Sequence, residues 1–356
     1  MELSLTDRIR GSMLGGAVGD ALGAPIEFLS LAEIRSRYGE AGIREYAPAY
    51  GRTGAITDDT QMTLFTAEGL IRAWVRARTK GICNVPAVIQ HAYLRWLLTQ
   101  GERPAEGVKV GDDGWLFGVS ALHACRAPGN TCLSALREVK GFGQPPRAHN
   151  NSKGCGGVMR VAPVGLFTRA FGGDERLFEI ATDAAALTHG HPSGSLSAGY
   201  FAVTIAALCR GSDLPAALDL AEQQLRRHDG HEEVLRAVHR ARALAAKGPP
   251  SAQQLQALGG GWVAEEALGI AICCALVATG FSDGVRRAVN HSGDSDSTGA
   301  MTGNILGALW GVNAIPAPWL EGLEIREEID RLAHGLDAVS SGRLSSDDAW
   351  KDYPGW

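Results

Sequence analysis

Among the residues able to do chemistry, two short acidic clusters dominate. Thr57-Asp58-Asp59-Thr60 directly precedes an apolar run carrying Met62, Leu64, Phe65, Ala67 and Leu70. His291-Ser292-Gly293-Asp294-Ser295-Asp296-Ser297-Thr298 gathers carboxylates and hydroxyls in a glycine-containing turn. Taken singly, each reads as a helix start. Thr57 suits an N-cap, and Asp58 and Asp59 in the first turn gain about 0.3–1 kcal/mol from the helix dipole. Taken together they offer more. Asp294 and Asp296, two apart in a turn, can face one point. Carboxylate and hydroxyl oxygens are hard ligands, suited to Mg²⁺, Ca²⁺ or Mn²⁺ and poorly suited to zinc. Two such clusters could share two ions about 3.5–4 Å apart. The second cluster lacks the central Gly and closing Glu of an EF-hand loop, so that calcium reading fails.

Helices must position these groups. Helical periodicity covers segments near 6–23, 58–78, 84–98, 115–125, 174–188, 194–209, 214–225, 231–246, 263–279, 282–289 and 298–311. Strand-like alternation is scarce, and the expected fold class is all-α. Gly11, Gly15, Gly19 and Gly23 recur every four residues, as do Gly299, Gly303, Gly307 and Gly311. Positions four apart share a helix face. Glycine there costs about 1 kcal/mol per residue against Ala, which close approach of another helix can offset. The two striped helices are therefore expected to be central and tightly packed. Loops are expected at 101–114, 141–157 and 247–261, the last resembling a linker.

Composition excludes several classes. The 356 residues are 45% hydrophobic and 21% charged with net charge −5, which argues against a general nucleic-acid binder. Seven cysteines, at 83, 125, 132, 155, 209, 273 and 274, form no CxxC pair; reduced thiols are expected. The opening MELSLTDRIR lacks a signal pattern, and the best apolar window, 262–281, contains Glu265 and Glu266. No membrane association is expected, and the predicted location is the cytoplasm.

Five motifs in order carry a resemblance: Gly19-Asp20-Ala21-Leu22-Gly23-Ala24-Pro25-Ile26-Glu27-Phe28, Thr57-Asp58-Asp59-Thr60, Asn151-Ser152-Lys153-Gly154-Cys155-Gly156-Gly157-Val158-Met159-Arg160, Leu187-Thr188-His189 and Gly293-Asp294-Ser295-Asp296-Ser297. Together, within residues 8–312, they resemble the ADP-ribosylglycohydrolase family. The resemblance implies a compact single-domain orthogonal helical bundle over 1–356, with 313–356 as a C-terminal packing extension. It implies two Mg²⁺, or Mn²⁺, held by Thr57, Asp58, Asp59, Asp294, Asp296 and Ser297. Glu27 matches a glutamate at the mouth of that site, and Asp58, Asp59, Asp294, Asp296 and Glu27 are the expected catalytic set. Asn151, Ser152, Lys153, Gly154 and Gly156 match a substrate loop whose small residues let backbone N–H groups approach a diphosphate. His189 matches a position near the ribose or diphosphate; His149 and His191 read as structural. Trp115, in a glycine-flanked segment, is a weaker candidate for stacking on adenine.

The implied partners are ADP-ribose and an ADP-ribosylated protein, with arginine the expected linkage. Departure of the guanidinium nitrogen would build oxocarbenium character at the anomeric carbon, with water activated by Asp58 or Asp59 as general base. Alternatives are another ADP-ribosyl bond (serine-linked or O-acetyl-ADP-ribose), a non-catalytic ADP-ribose-binding protein, or a phosphohydrolase cutting the diphosphate.

Overall fold

In a computed structural model describing residues 3–167 and 172–355, the chain is all-α. The helices are α1 (Leu5–Gly23), α2 (Leu31–Tyr38), α3 (Asp58–Lys80), α4 (Val85–Thr99), α5 (Asn130–Arg137), α6 (Ala162–Leu166), α7 (Asp174–Ala186), α8 (Pro192–Cys209) and α9 (Leu214–Leu225). They continue as α10 (Glu232–Ala245), α11 (Ala252–Leu255), α12 (Ala264–Val277), α13 (Phe281–Val289), α14 (Ser295–Trp310), α15 (Ala317–Gly322), α16 (Arg326–Ser340) and α17 (Ser346–Asp352). Among the described residues the only strands are β1 (Pro48–Ala49) and β2 (Arg52–Thr53), a short antiparallel pair.

The glycine stripes do what their spacing predicts. α1 and α14 lie antiparallel with backbones in contact: Gly11 faces Gly307, Gly15 faces Gly303, Gly19 faces Gly299, and Gly23 faces Ser295. A Cβ on Gly19 would sit 2.0 Å from the Gly299 carbonyl oxygen, and one on Gly307 would sit 1.9 Å from that of Gly11. No other side chain fits. The consequence for function is positional. Antiparallel pairing brings the end of α1, with Asp20, against the start of α14, with Asp294 and Asp296.

α3 joins them at its N-terminus. The Asp20 carboxylate, buried on α1, accepts from the Thr57 and Thr60 backbone N–H groups at 3.0 and 3.1 Å. It also accepts from the Thr57 hydroxyl at 2.9 Å and from that of Thr60. A carboxylate from one helix thus caps another, where the dipole favours negative charge.

Several expectations need correction. Residues 115–125 form two 3₁₀ turns, Leu116–Gly118 and Ser120–Leu122, separated by extended Val119; Gly114 (φ +89°) keeps a helix from running in. The linker-like stretch 247–261 contains α11 and packs on the site, as shown below. Besides the window at 262–281, α8 is an apolar run of 18 residues without a charge. It is long and apolar enough to cross a membrane, yet 94% of it is buried within the fold. α2, α5, α6 and α15–α17 were not anticipated, although Ser30 and Glu33 make a capping box that announces α2.

The segment 313–356 is held against the helices that carry the site. Ile329, Leu332, Ala333 and Leu336 on α16 are fully buried. Arg10 on α1 pairs with Asp330 at 2.7 Å. Glu324 is buried, paired with Arg126, and accepts from the Ile56 backbone N–H at 3.1 Å. Trp319 is buried and Trp350 half-exposed; Trp356 lies outside the described residues.

Candidate active site

The three helix ends meet at a cleft of about 440 Å³, lined by Glu27, Asp58, Asp59, Asp294, Asp296 and Ser297 among others. Ligand oxygens of Asp58, Asp59 and Asp296 lie within 4.8 Å of one another. Asp294 caps α14, its Oδ1 accepting from the Ser297 N–H at 3.2 Å. Asp296 Oδ1 accepts from the same N–H at 3.0 Å, and Asp58 Oδ2 accepts from the Gly129 N–H at 3.3 Å. Thr57 is buried behind the cleft, with its hydroxyl on Asp20 and the Asp59 N–H donating to its Oγ at 3.3 Å.

This much buried negative charge is expensive. Burial, reinforced by Asp296, holds Asp58 and Asp59 well above the usual carboxylate range. Burial and then Asp294 do the same to Asp296. Burial followed by Asp296, Asp294 and Asp58 pushes Glu27 up to about 11. Burial and Asp296 raise Asp20 to about 7, against the opposing hydrogen bonds from Thr60 and Thr57. No lysine or arginine among the described residues is paired with the cleft carboxylates; the nearby cations Arg126 and Lys153 are spent on Glu324, and on Glu233 and Glu265. Two buried oxygens, Asp59 Oδ1 and Glu27 Oε2, have no hydrogen-bond partner. An all-oxygen donor set, orphaned oxygens and absent counter-charge together fit hard divalent cations.

The glycine loop forms the opposite wall. Gly154, Cys155, Gly156 and His189 line the cleft, whereas Asn151, Ser152 and Lys153 do not. Lys153 turns away to bridge Glu233, at 2.6 Å, and Glu265, which ties the loop to α10 and α12. Ser152 accepts from the Gly154 N–H at 3.3 Å and lies 3.1 Å from the Thr131 hydroxyl; the pair shapes the loop from behind. His189 is buried, with Nδ1 2.8 Å from the Thr188 hydroxyl, which accepts from Arg160 at 2.7 Å. Burial and Arg160 push the imidazole down to about 3, so it is neutral at physiological pH. His191 is structural, its Nδ1 accepting from the Ser193 N–H at 3.1 Å as the cap of α8.

Trp115 does not reach the cleft. Arg331 lies over its ring at 4.1 Å, and Tyr353 packs on its edge. The aromatic pair at the mouth is Phe28 and Trp262, stacked with centroids 5.8 Å apart and 69% and 44% exposed. Both were missed, as were Cys155 and the capping role of Asp20. Trp262 belongs to the stretch that buttresses the acidic turn. Asp294 N–H donates to the Gly260 carbonyl at 2.8 Å, and the Cys155 N–H donates to the Trp262 carbonyl at 3.1 Å.

Comparison with known proteins now decides the family. The family model described as ADP-ribosylglycohydrolase matches residues 1–345. The chain belongs to the ADP-ribosylglycohydrolase family. Proteins similar to it include the ADP-ribosyl-[dinitrogen reductase] glycohydrolase of Rhodospirillum rubrum, 28% identical over 94% of this chain and 99% of that one. The ADP-ribosylarginine hydrolase Tri1 of Serratia proteamaculans is 26% identical over 93% of this chain and 79% of its own length. A solved structure titled ADP-ribosylglycohydrolase-related protein complex superposes with a TM-score of 0.70 at 28% identity, covering 95% and 99% of the two chains. Membership makes the protein a hydrolase of ADP-ribosyl linkages, on the all-α fold its sequence predicted.

Proposed function

We propose that the protein hydrolyses the N-glycosidic bond between ADP-ribose and a modified arginine side chain, with two Mg²⁺ at the carboxylate cluster. The observation that carries this reading is the convergence of Glu27, Asp58, Asp59, Asp294 and Asp296 on one cleft without a balancing cation. Thr57, Asp58, Asp59, Asp294, Asp296 and Ser297 would hold the ions. When bound, such cations orient ribose hydroxyls and lower the pKa of a water. The arginine linkage draws support from the similarity to the Serratia hydrolase over 93% of this chain.

The chain's own groups supply the rest. Asp58 or Asp59 takes the proton of the attacking water as general base. No lysine, serine or cysteine nucleophile is needed, because water attacks the anomeric carbon directly as the C–N bond breaks. The departing guanidine keeps that electron pair and takes up a proton to restore the arginine guanidinium. The Gly154–Gly156 loop allows close approach of a diphosphate to backbone. Neutral His189, pinned at Nδ1 by Thr188, keeps Nε2 for the sugar–phosphate side without adding charge. Glu27 adds a further carboxylate at the mouth, beside the exposed Phe28–Trp262 pair.

The test is incubation with an arginine-ADP-ribosylated protein, with Mg²⁺ and with EDTA, and identification of the product by mass. Metal-dependent release of intact ADP-ribose with restored arginine is expected. Release of AMP would replace this reading with diphosphate hydrolysis. Tight ADP-ribose binding without release would redirect the test to serine-linked and O-acetyl substrates.

A further inference from the structure

We propose that Lys153, Glu233 and Glu265 form a clasp that holds the glycine loop in its substrate-binding geometry, with Lys153 a positioning residue that does not itself contact the diphosphate. The proposal rests on the reading of the Gly154–Gly156 loop as the seat of that diphosphate. A lysine in a glycine loop is by residue type a phosphate ligand, a point charge beside backbone N–H groups. Here its charge is spent elsewhere. Nζ donates to Glu233 Oε1 at 2.6 Å and to Glu265 Oε1, and Lys153 does not line the cleft. Glu265, in the first turn of α12, is buried. Glu233, in the first turn of α10, also accepts from the hydroxyl of Ser193 in the first turn of α8. The starts of three helices thus meet at one ammonium group through two carboxylates.

The backbone around Lys153 is held as closely as its side chain. Its carbonyl accepts from the Ala264 N–H at 2.8 Å, and the Ser152 carbonyl accepts from the His191 N–H at 3.1 Å. A Cβ on Gly194 would lie 3.1 Å from Lys153 Cα, and one on Gly156 would lie 3.1 Å from His189 Cε1. The loop is therefore wedged between the start of α8 and the imidazole. A shift of about 1 Å there would misplace the cleft-lining glycines relative to the carboxylates, and misplacement on that scale is costly. Two carboxylates face one ammonium group, so Lys153 has no charge to spare for a phosphate. The two roles of the lysine make opposite demands. If Lys153 were a phosphate ligand held back by Glu233 and Glu265, neutralising a glutamate would free it and tighten binding. In a clasp, the same change slackens the loop and weakens binding.

The test is ADP-ribose affinity, measured by calorimetry on the full chain in Mg²⁺. The variants are Glu233→Gln, Lys153→Arg and the double variant Lys153→Met with Glu265→Gln. The double variant leaves no unpaired charge buried, so it is expected to fold, and thermal melting checks this. Affinity should fall by about tenfold in the double variant and by about threefold in Glu233→Gln, the cost of ordering a slack loop on binding. Lys153→Arg should stay near wild type, because a guanidinium can still bridge both carboxylates. With an ADP-ribosylated protein as substrate, KM should rise with the loss of affinity while kcat changes less. Unchanged or tighter ADP-ribose binding in Glu233→Gln, or unchanged affinity in the folded double variant, would overturn the clasp alone. No ADP-ribose binding by the wild type would remove the reading of the loop, and the proposal with it.

Discussion

Glu27 illustrates how single residues set the behaviour of the metal-free protein. Its carboxyl is raised to about 11 by burial and by Asp296, Asp294 and Asp58, from a usual 4.5. Asp20 is raised from 3.8 to about 7 by burial and Asp296. A carboxyl whose folded pKa exceeds its unfolded value contributes stability below the unfolded value and loses it as pH rises through the folded one. The metal-free protein should therefore lose thermal stability as pH rises from about 4 toward about 11, the Asp20 share being lost by about pH 7 and the Glu27 share continuing above it, and saturating Mg²⁺ should flatten that decline. Differential scanning fluorimetry with and without EDTA checks it; an unchanged slope with Mg²⁺ would count against cations at this cluster. Removing one charge should act in the same sense. Asp296→Asn should abolish turnover while stabilising the metal-free chain by about 1 kcal/mol in denaturant titration at neutral pH.

At the scale of elements, the α1–α14 contact is the device that delivers the site. Gly19→Ala would gain about 1 kcal/mol of helix propensity and lose more, because its Cβ would meet the Gly299 carbonyl at 2.0 Å. Overpacking of this kind costs about 1–3 kcal/mol or more, and here it separates Asp20 from Asp296. The variant should unfold at lower denaturant and bind Mg²⁺ more weakly, both readable in one calorimetric series. Asp20→Asn should weaken Mg²⁺ binding with a smaller loss of stability, about 1 kcal/mol, since it loosens the cap on α3 while α1 still packs. These two helices were legible because a four-residue glycine period has few other uses. The short α5 and α6 were not, since few residues define their period. The helix expected over 115–125 failed because Gly114, with its positive φ, and extended Val119 outweigh an apolar pattern.

The whole molecule closes around the site from its far end. Glu324, between α15 and α16, pairs with Arg126 and receives the Ile56 N–H, the residue just before Thr57. The Arg126 carbonyl in turn accepts from the Asp58 N–H at 3.3 Å. A residue some 270 positions away in sequence thus fixes the backbone of the acidic turn, through Ile56. Arg126→Met should leave Glu324 buried and unpaired, costing about 3–5 kcal/mol, and should lower Mg²⁺ affinity as well. Chemical denaturation and calorimetry would show both; a stability loss with unchanged metal affinity would confine the pair to packing.

The sequence alone determined the fold class, the two striped helices as a central pair, and the acidic turns as one chemical unit, because period and donor type are local properties of the chain. It also carried the family, since five motifs in fixed order are improbable by accident. Only the tertiary structure decided which neighbours complete the unit. Lys153 sits in the glycine loop by sequence yet spends its charge on Glu233 and Glu265, from helices some 80 and 112 residues further on. Trp115 is drawn to Arg331 and Tyr353, while Trp262 arrives at the mouth because the stretch before α12 packs on the acidic turn. Asp20 and Glu324 gain their roles from partners 37 and 268 residues distant. Contacts of that range are fixed by how helices pack, and packing depends on the whole chain at once.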